Sequence, residues 1–462
     1  MSTCKTIVML DVLLKRKNMK QRNIPFSPPD ITELEIKEVC EALRSGWITT
    51  GPRTKLLERR LKAYIDTARI DIDCDTQDSI NSYGNKLVCL SSATAAEELN
   101  LRILGIRPDD EVIVPAYTYT ATASAAIHCG ATVKFVDIQK DGDSDTHSPE
   151  MDYDAVERAI TNRTKAIIPV DIAGIVCDYD RLFEIVESKR DLFKPLDDYS
   201  NPLSSIGSNI QKGLNRVAIV ADCAHSLGAS RDGKNAGAIA DFSSFSFHAV
   251  KNLTTAEGGA ATWNLPQSVY DTGVADEDIY KMYQLMSLHG QSKDAFAKNK
   301  VGAWEYDVIG SWYKCNMTDV TAAIGLRQLD RYPNLLKRRI EIVRRYDETC
   351  NELGISHLNH HIEGMDSSNH LYLIRIDGID IDERNNIVSR MASKGVTTNV
   401  HYKPLPMMSA YKEMGWDIKN FPNAYDYYHN LITLPLHTLL SDEDVEYICN
   451  VLKDIILGEH IH

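Results

Sequence analysis

Short apolar runs alternate with helix-like segments along most of the chain. Residues 86–90 (KLVCL) lead into Ser91-Ser92-Ala93-Thr94-Ala95-Ala96, which opens a helical pattern running to Leu104. Residues 111–114 (EVIV) end at Pro115 and precede an Ala/Thr-rich helix over 121–129. Three further runs, 133–136 (VKFV), 166–170 (AIIPV) and 217–221 (VAIVA), end at Asp137, Asp171 and Asp222. Strands that are apolar on both faces and alternate with helices predict an α/β domain with a mainly parallel sheet. Polar residues gather just past the strand ends, where open α/β sheets bind their ligands.

The same reading divides the chain. Residues 24–330 form the large α/β domain, with surface excursions over 67–85 and 189–214, both rich in Ser, Asn or Asp. Residues 337–353 read as an amphipathic helix whose basic start (Lys337, Arg338, Arg339) is a solvated face. A strand over 370–376 and a last helix over 442–457 complete a smaller α+β domain spanning 331–462. Residues 1–23 read as a disordered leader, with Met19 as an alternative start. Its apolar stretch, 6–14, is broken by Asp11 and followed, not preceded, by Lys15, Arg16 and Lys17, the wrong order for a secretory signal.

Composition narrows the function classes. The 462 residues are 43% hydrophobic and 25% charged, as in ordinary globular proteins. A net charge of −14 repels phosphate backbones and anionic lipid, so neither nucleic acid nor a membrane surface is expected as a partner. The ten cysteines are scattered with no C-x-x-C pair, which suggests no metal site, no disulfide framework and a cytoplasmic location. No dinucleotide, Walker A or H-E-x-x-H pattern occurs.

Four features share one chemistry. Lys251 lies in FSSFSFHAVKNLTTAEGGA, between an aromatic/serine strand and a Gly-Gly turn. Desolvation there would free its amine to form Schiff bases, although a loop lysine on the surface is the common alternative. Asp222 ends a buried strand and suits a pyridinium nitrogen, the pairing that keeps pyridoxal phosphate an electron sink; capping the next helix is its ordinary role. His225, three residues on, either bonds the ring's phenolic oxygen or merely starts a helix. Ser92-Ala93-Thr94 at a strand-to-helix junction offers amides to a phosphate, with Ser246 as a further hydroxyl, or simply caps the helix. Tyr119 in PAYTYTAT offers a flat ring to stack on the pyridine, or packs in the core.

The order phosphate turn, aromatic, Asp, Lys is that of a fold type I pyridoxal phosphate enzyme. SSATAAEELN, DEVIVPAYTYTATASA, DCAHSLGA, FSFHAVKNLTTAEGGA, YKCNMTDVTAAIGLRQL, VHYKP and LPLH occur in sequence. With IPFSPPDITELEIKEVCEALRSGWITTGP at the start, the chain resembles the DegT/DnrJ/EryC1/StrS family of sugar aminotransferases over 24–457. The resemblance implies that Lys251 holds pyridoxal phosphate as the internal aldimine and moves the proton, and that Asp222 pairs with the ring nitrogen. It also implies that His225 sits near the phenolic oxygen, that Ala93, Thr94 and Ser246 bind phosphate, and that Tyr119 covers the ring. Family members are homodimers with shared sites; Lys314 and Asn316 match the loop that crosses to the neighbour's phosphate. Trp47, Thr49, His401 and Tyr402 match positions lining the sugar pocket.

The implied reaction moves the amino group of L-glutamate, leaving 2-oxoglutarate, onto a nucleotide-linked keto-sugar, 4-keto or 3-keto, in surface-glycan or amino-sugar assembly. The chain departs from the family at Ala93 (often Gly or Asn), Cys315 (usually aromatic) and Ala256 (a glycine). Two other readings compete. A keto-sugar dehydratase of the same family carries histidine in place of the lysine, which Lys251 argues against. A catalytically inactive sugar-binding or regulatory homologue has no need of Lys251, Asp222 and a phosphate turn together.

Overall fold

The computed structural model describes residues 22–292 and 305–459; apart from its last two residues, the expected leader lies outside the described residues. The large unit is built on β1 (Leu87–Leu90), β2 (Glu111–Pro115), β3 (Thr132–Val136), β4 (Thr164–Ile167) and β5 (Ala218–Asp222). A short hairpin, β6 (Ser230–Arg231) and β7 (Lys234–Asn235), precedes β8 (Phe242–Ser246) and β9 (Gly259–Trp263). Seven of these strands form one sheet in the order β1-β9-β8-β5-β4-β2-β3. Neighbours from β8 to β3 run parallel, and β9 runs antiparallel to both β1 and β8. This is the mainly parallel sheet that the apolar runs predict.

Burial explains why the central runs are almost wholly apolar. Val112, Val114 and Val220 enter one hydrophobic cluster, while Ile113, Ile219 and Ala221 enter a second on the opposite face. Successive strand residues point to opposite faces, so a strand covered by helices on both sides must be apolar at every position. The register aligns Asp222 with Ser244, bringing the carboxyl ends of β5 and β8 side by side.

A third cluster surrounds the antiparallel sheet β10 (Ser356–His357), β13 (Tyr372–Arg375) and β14 (Leu431–Leu434). Between them, β11 (His361–Ile362) and β12 (Met365–Asp366) extend the β6–β7 hairpin into a four-stranded sheet. The amphipathic helix expected over 337–353 starts much earlier. It spans Asp319–Leu353 and carries Pro333 within it, so the boundary expected near 330 falls inside one helix. The N-terminal segment joins this unit too, because the Ile24 N–H donates to the Gly395 carbonyl (2.7 Å) and Ile24 packs in the third cluster.

Two expectations need correction. Residues 189–214 are not all a surface excursion: Pro202–Leu214 is a helix that buries Gly207, Ile210 and Leu214. Its Gln211 Nε2 donates to the Leu104 carbonyl (2.8 Å), tying it to the Ala93–Leu104 helix. The apolar stripe Leu203, Ile206, Ile210 and Leu214 has helical spacing, masked by the intervening Ser, Gly and Asn. Nor is Arg339 solvated. It is buried, and its Nη1 donates to the carbonyls of Asn369, His370 and Leu436 (3.2 Å each), which gives acceptors to one arm of a desolvated guanidinium. Among the described residues, no helix is long and apolar enough to cross a membrane.

Candidate active site

The carboxyl ends of the parallel strands open on a cavity of about 390 Å³. Each wall traces to a strand end. Ser92, Ala93 and Thr94 follow β1, Tyr119 follows β2, Asp222 ends β5, Ser246 ends β8, and Lys251 stands on the turn beyond it.

At the inner end, Asp222 is fixed by two donors. Thr122 Oγ1 donates to Oδ2 (2.9 Å) and the Ala224 N–H to Oδ1 (3.1 Å). Burial pushes its carboxyl up, while those donors and the nearby Lys251 charge oppose the rise. Burial also brings the Lys251 ammonium down to about 8, with the Asp222 charge pulling the other way. An amine so poised reaches its neutral, nucleophilic form near neutral pH.

His225 is held as one tautomer. The Ala173 N–H donates to Nδ1 (3.1 Å), so the ring proton of neutral His225 sits on Nε2, which lies 3.3 Å from the Tyr402 hydroxyl. Burial, then the charges of Lys251 and His401, keep this ring neutral. His370 packs against it with ring centroids 4.3 Å apart, and Asn252, next to Lys251, bonds His370 Nδ1 (2.9 Å).

The turn after β1 has anion-binding geometry. Ser92 caps the Ala93–Leu104 helix, its Oγ accepting from the Ala95 N–H and its carbonyl from the Ala96 N–H (3.1 Å each). Ala93 and Thr94 occupy the first two helical positions, where backbone N–H groups have no intrahelical acceptor. β9 presses against this turn: a Cβ on Gly259 would lie 2.3 Å from the Ser92 carbonyl carbon and 2.4 Å from the Ala93 nitrogen, so only glycine fits. Ala256, where relatives were expected to carry glycine, has φ 69°, a conformation glycine adopts more easily.

Tyr119 stands 58% exposed, its ring 5.8 Å from that of Tyr402. Tyr402 and His401 complete the wall. Their loop is anchored by buried Tyr117, whose hydroxyl donates to the His401 carbonyl (2.6 Å) and accepts from the Tyr402 N–H (2.8 Å).

The other sequence-derived candidates do not line this cavity. Lys314, Asn316, Trp47 and Thr49 gather elsewhere: Lys314 Nζ bonds Asn316 Oδ1, and Asn316 Nδ2 donates to Thr50 Oγ1 (2.6 Å). Trp47 Nε1 donates to the Thr50 carbonyl (3.1 Å), and the Thr49 carbonyl accepts from the Asp319 N–H (3.0 Å). Sequence reasoning missed Thr122, Tyr117, His370 and Glu97. Only Glu97 carried a readable signal, lying three and four residues after Thr94 and Ala93 on one helix face.

The model of the DegT/DnrJ/EryC1/StrS aminotransferase family matches residues 80–192 and 210–453, passing over part of the 189–214 segment. The spore coat polysaccharide biosynthesis protein SpsC of Bacillus subtilis is 32% identical over 447 residues, covering 95% of this chain and 99% of its own length. Spr1654 of Streptococcus pneumoniae, described as a sugar aminotransferase, is 52% identical in its pyridoxal phosphate form, with a TM-score of 0.82 and coverage of 95% and 99%. Helicobacter pylori PseC, an aminotransferase involved in the biosynthesis of pseudoaminic acid, is 25% identical with a TM-score of 0.74, covering 95% of this chain and all of its own. The mainly parallel sheet is thus that of the fold type I sugar aminotransferases. The chain belongs to the DegT/DnrJ/EryC1/StrS aminotransferase family, whose cofactor is pyridoxal phosphate.

Proposed function

We propose that this protein transfers the amino group of L-glutamate to the keto group of a nucleotide-linked keto-sugar, most simply a 4-keto-sugar, for surface-glycan or amino-sugar assembly. The observation that carries this is one cavity holding a desolvated lysine amine, a buried carboxylate and an open helix N-terminus. Two relatives support the setting, SpsC in spore coat polysaccharide biosynthesis and PseC in pseudoaminic acid biosynthesis.

The donor set fits the cofactor. Ala93 and Thr94 amides with the Ser246 hydroxyl suit the phosphate, Asp222 the ring nitrogen, His225 Nε2–H the phenolic oxygen, and the Tyr119 ring the pyridine face. Bound there, pyridoxal phosphate supplies a carbonyl carbon that takes up and releases the amino group, and a ring that draws electrons from the adjacent C–H bond. Lys251 Nζ would hold the cofactor covalently and would carry the substrate proton. Asp222, held by Thr122 and the Ala224 amide, would set its carboxyl against the ring nitrogen. His401 and Tyr402 border the space left for the sugar. A lysine at position 251 favours amino transfer over the dehydratase reading, and its desolvation together with the anchored Asp222 disfavours an inactive scaffold.

The proposed assembly is a homodimer in which Lys314 and Asn316 reach the neighbour's phosphate, and Trp47 and Thr49 its sugar pocket. The Glu33–Arg44 helix exposes Leu34, Ile36 and Leu43, and Ile31 and Val250, the latter next to Lys251 in the chain, are exposed as well. An adjoining groove of about 350 Å³ is lined by Pro29, Val39, Ala249 and Ile324. Apolar surface of this extent marks an interface, and its approach to Lys251 suits a second copy whose loops complete the site. A cytoplasmic location accords with the nine described cysteines being free thiols.

The test is direct. Holoprotein given L-glutamate should release 2-oxoglutarate, and then aminate at least one member of a panel of nucleotide-linked 4-keto and 3-keto sugars, followed by mass spectrometry. No 2-oxoglutarate would exclude glutamate as donor, and loss of water from the sugar without amination would favour the dehydratase.

A further inference from the structure

Glu97 is a carboxyl group where this cavity has no evident use for one. It sits one turn into the Ala93–Leu104 helix, on the face of Ala93 and Thr94. Helical side chains lean toward the N-terminus, so a residue at this position extends back under the anion-binding turn. The side chain lines the cavity, is 1% exposed, and its Oε1 has no hydrogen-bond partner among the described residues. Among the described residues nothing cationic neutralises it; burial, and then the like charge of Asp222, push the carboxyl well up.

A buried carboxylate with neither counter-ion nor donors is strongly unfavourable, and a second negative charge beside Asp222 would repel an anionic phosphate ligand. As an uncharged acid the same group acquires an O–H donor, and the cavity keeps one fixed negative charge in place of two. We propose that Glu97 contacts the bound cofactor as a neutral hydrogen-bond donor, between the phosphate turn and Asp222, and that it co-determines cofactor affinity. This rests on the assignment of the cavity as the cofactor site.

Glutamine is the discriminating replacement, since it keeps the shape and a donor without any charge; leucine fills the space without a donor. Apoprotein would be titrated with pyridoxal phosphate by fluorescence, and the visible band of the covalently attached cofactor recorded. Glu97→Gln should bind within about threefold of wild type, while Glu97→Leu should bind about tenfold more weakly, as expected for one lost hydrogen bond in a buried site, with a displaced visible band. Equal melting temperatures of the three apoproteins would separate this loss from a folding defect. An unchanged affinity and band in Glu97→Leu would overturn the proposal, as would a Gln variant as weak as the Leu variant, which would mean that the charge is needed. Wild-type protein that forms no band at all would instead overturn the site assignment itself.

Discussion

Two groups of candidate residues behave differently in a single chain. Lys251, Asp222, His225 and the Ala93–Thr94 turn converge on one cavity, fixed by backbone amides and buried hydroxyls. Lys314 bonds Asn316, Asn316 and Trp47 bond Thr50, and Thr49 accepts from the Asp319 N–H, all outside that cavity. The first group is set by strand ends of one sheet and needs no second chain. The second lies outside the lining of that cavity, and the proposed dimer would use it to complete the neighbour's site. In the proposed dimer, the groups for bond making would come from one chain and part of the outer binding shell from its neighbour.

The largest effect should come from Lys251. Lys251→Ala loses covalent attachment together with proton transfer, and the second alone is worth about 10²–10⁴-fold in turnover. Its visible band should disappear while the fold persists by circular dichroism; turnover near the wild-type rate would break the assignment. Asp222→Ala should follow, with about 10²–10³-fold lower turnover from loss of a preorganised charge, and weaker cofactor binding. Unchanged affinity and rate would mean another group holds the ring nitrogen. Thr122→Val removes one donor to a buried carboxylate, and cofactor affinity should fall about tenfold, read by fluorescence titration.

Much of this arrangement was legible in the chain itself. The run 111–114 falls inside β2, which is buried along its whole length, and 133–136 falls inside β3, an edge strand whose Lys134 is half-buried. Lys251 and Asp222 were legible because strand ends are where ligands bind in such sheets. What failed to show is what depends on distant contacts. Thr122 looks like any threonine until β5 brings Asp222 to it, a hundred residues along the chain. Arg339 sits in a basic run whose solvation fails only because three carbonyls from two other segments close on it. The Pro202–Leu214 helix was hidden by its own Ser, Gly and Asn residues, and Gly207 has a use only against Gly105 of the neighbouring helix.

The pH dependence of cofactor capture sharpens the first group. With Lys251 lowered to about 8 by burial, against Asp222, the amine is mostly protonated below that pH. Only the free amine attacks, so the attachment rate of apoprotein should fall about tenfold per unit below 8 and level off above it. Asp222 raises the Lys251 value, so Asp222→Ala should move the plateau to lower pH. A rate still climbing about tenfold per unit at pH 9, with no plateau, measured by stopped-flow absorbance, would mean that the amine is not desolvated in solution.

The second group is tested by mixing. Lys314→Ala/Asn316→Ala leaves Lys251 intact, and Lys251→Ala leaves the loop intact, so each homodimer is impaired at both sites. A hybrid joins the intact loop of one chain to the intact lysine of the other at one of its two sites. Random mixing makes half the dimers hybrid, so activity should recover to about a quarter of wild type. If both groups served the same chain's cavity, a hybrid would carry one impaired site of each kind and mixing would restore nothing. Hybrid formation must be shown independently, for instance by differently tagged chains purified in tandem. Given that control, absence of rescue would argue against a site shared between chains, and the Lys314–Asn316 pair would need another role.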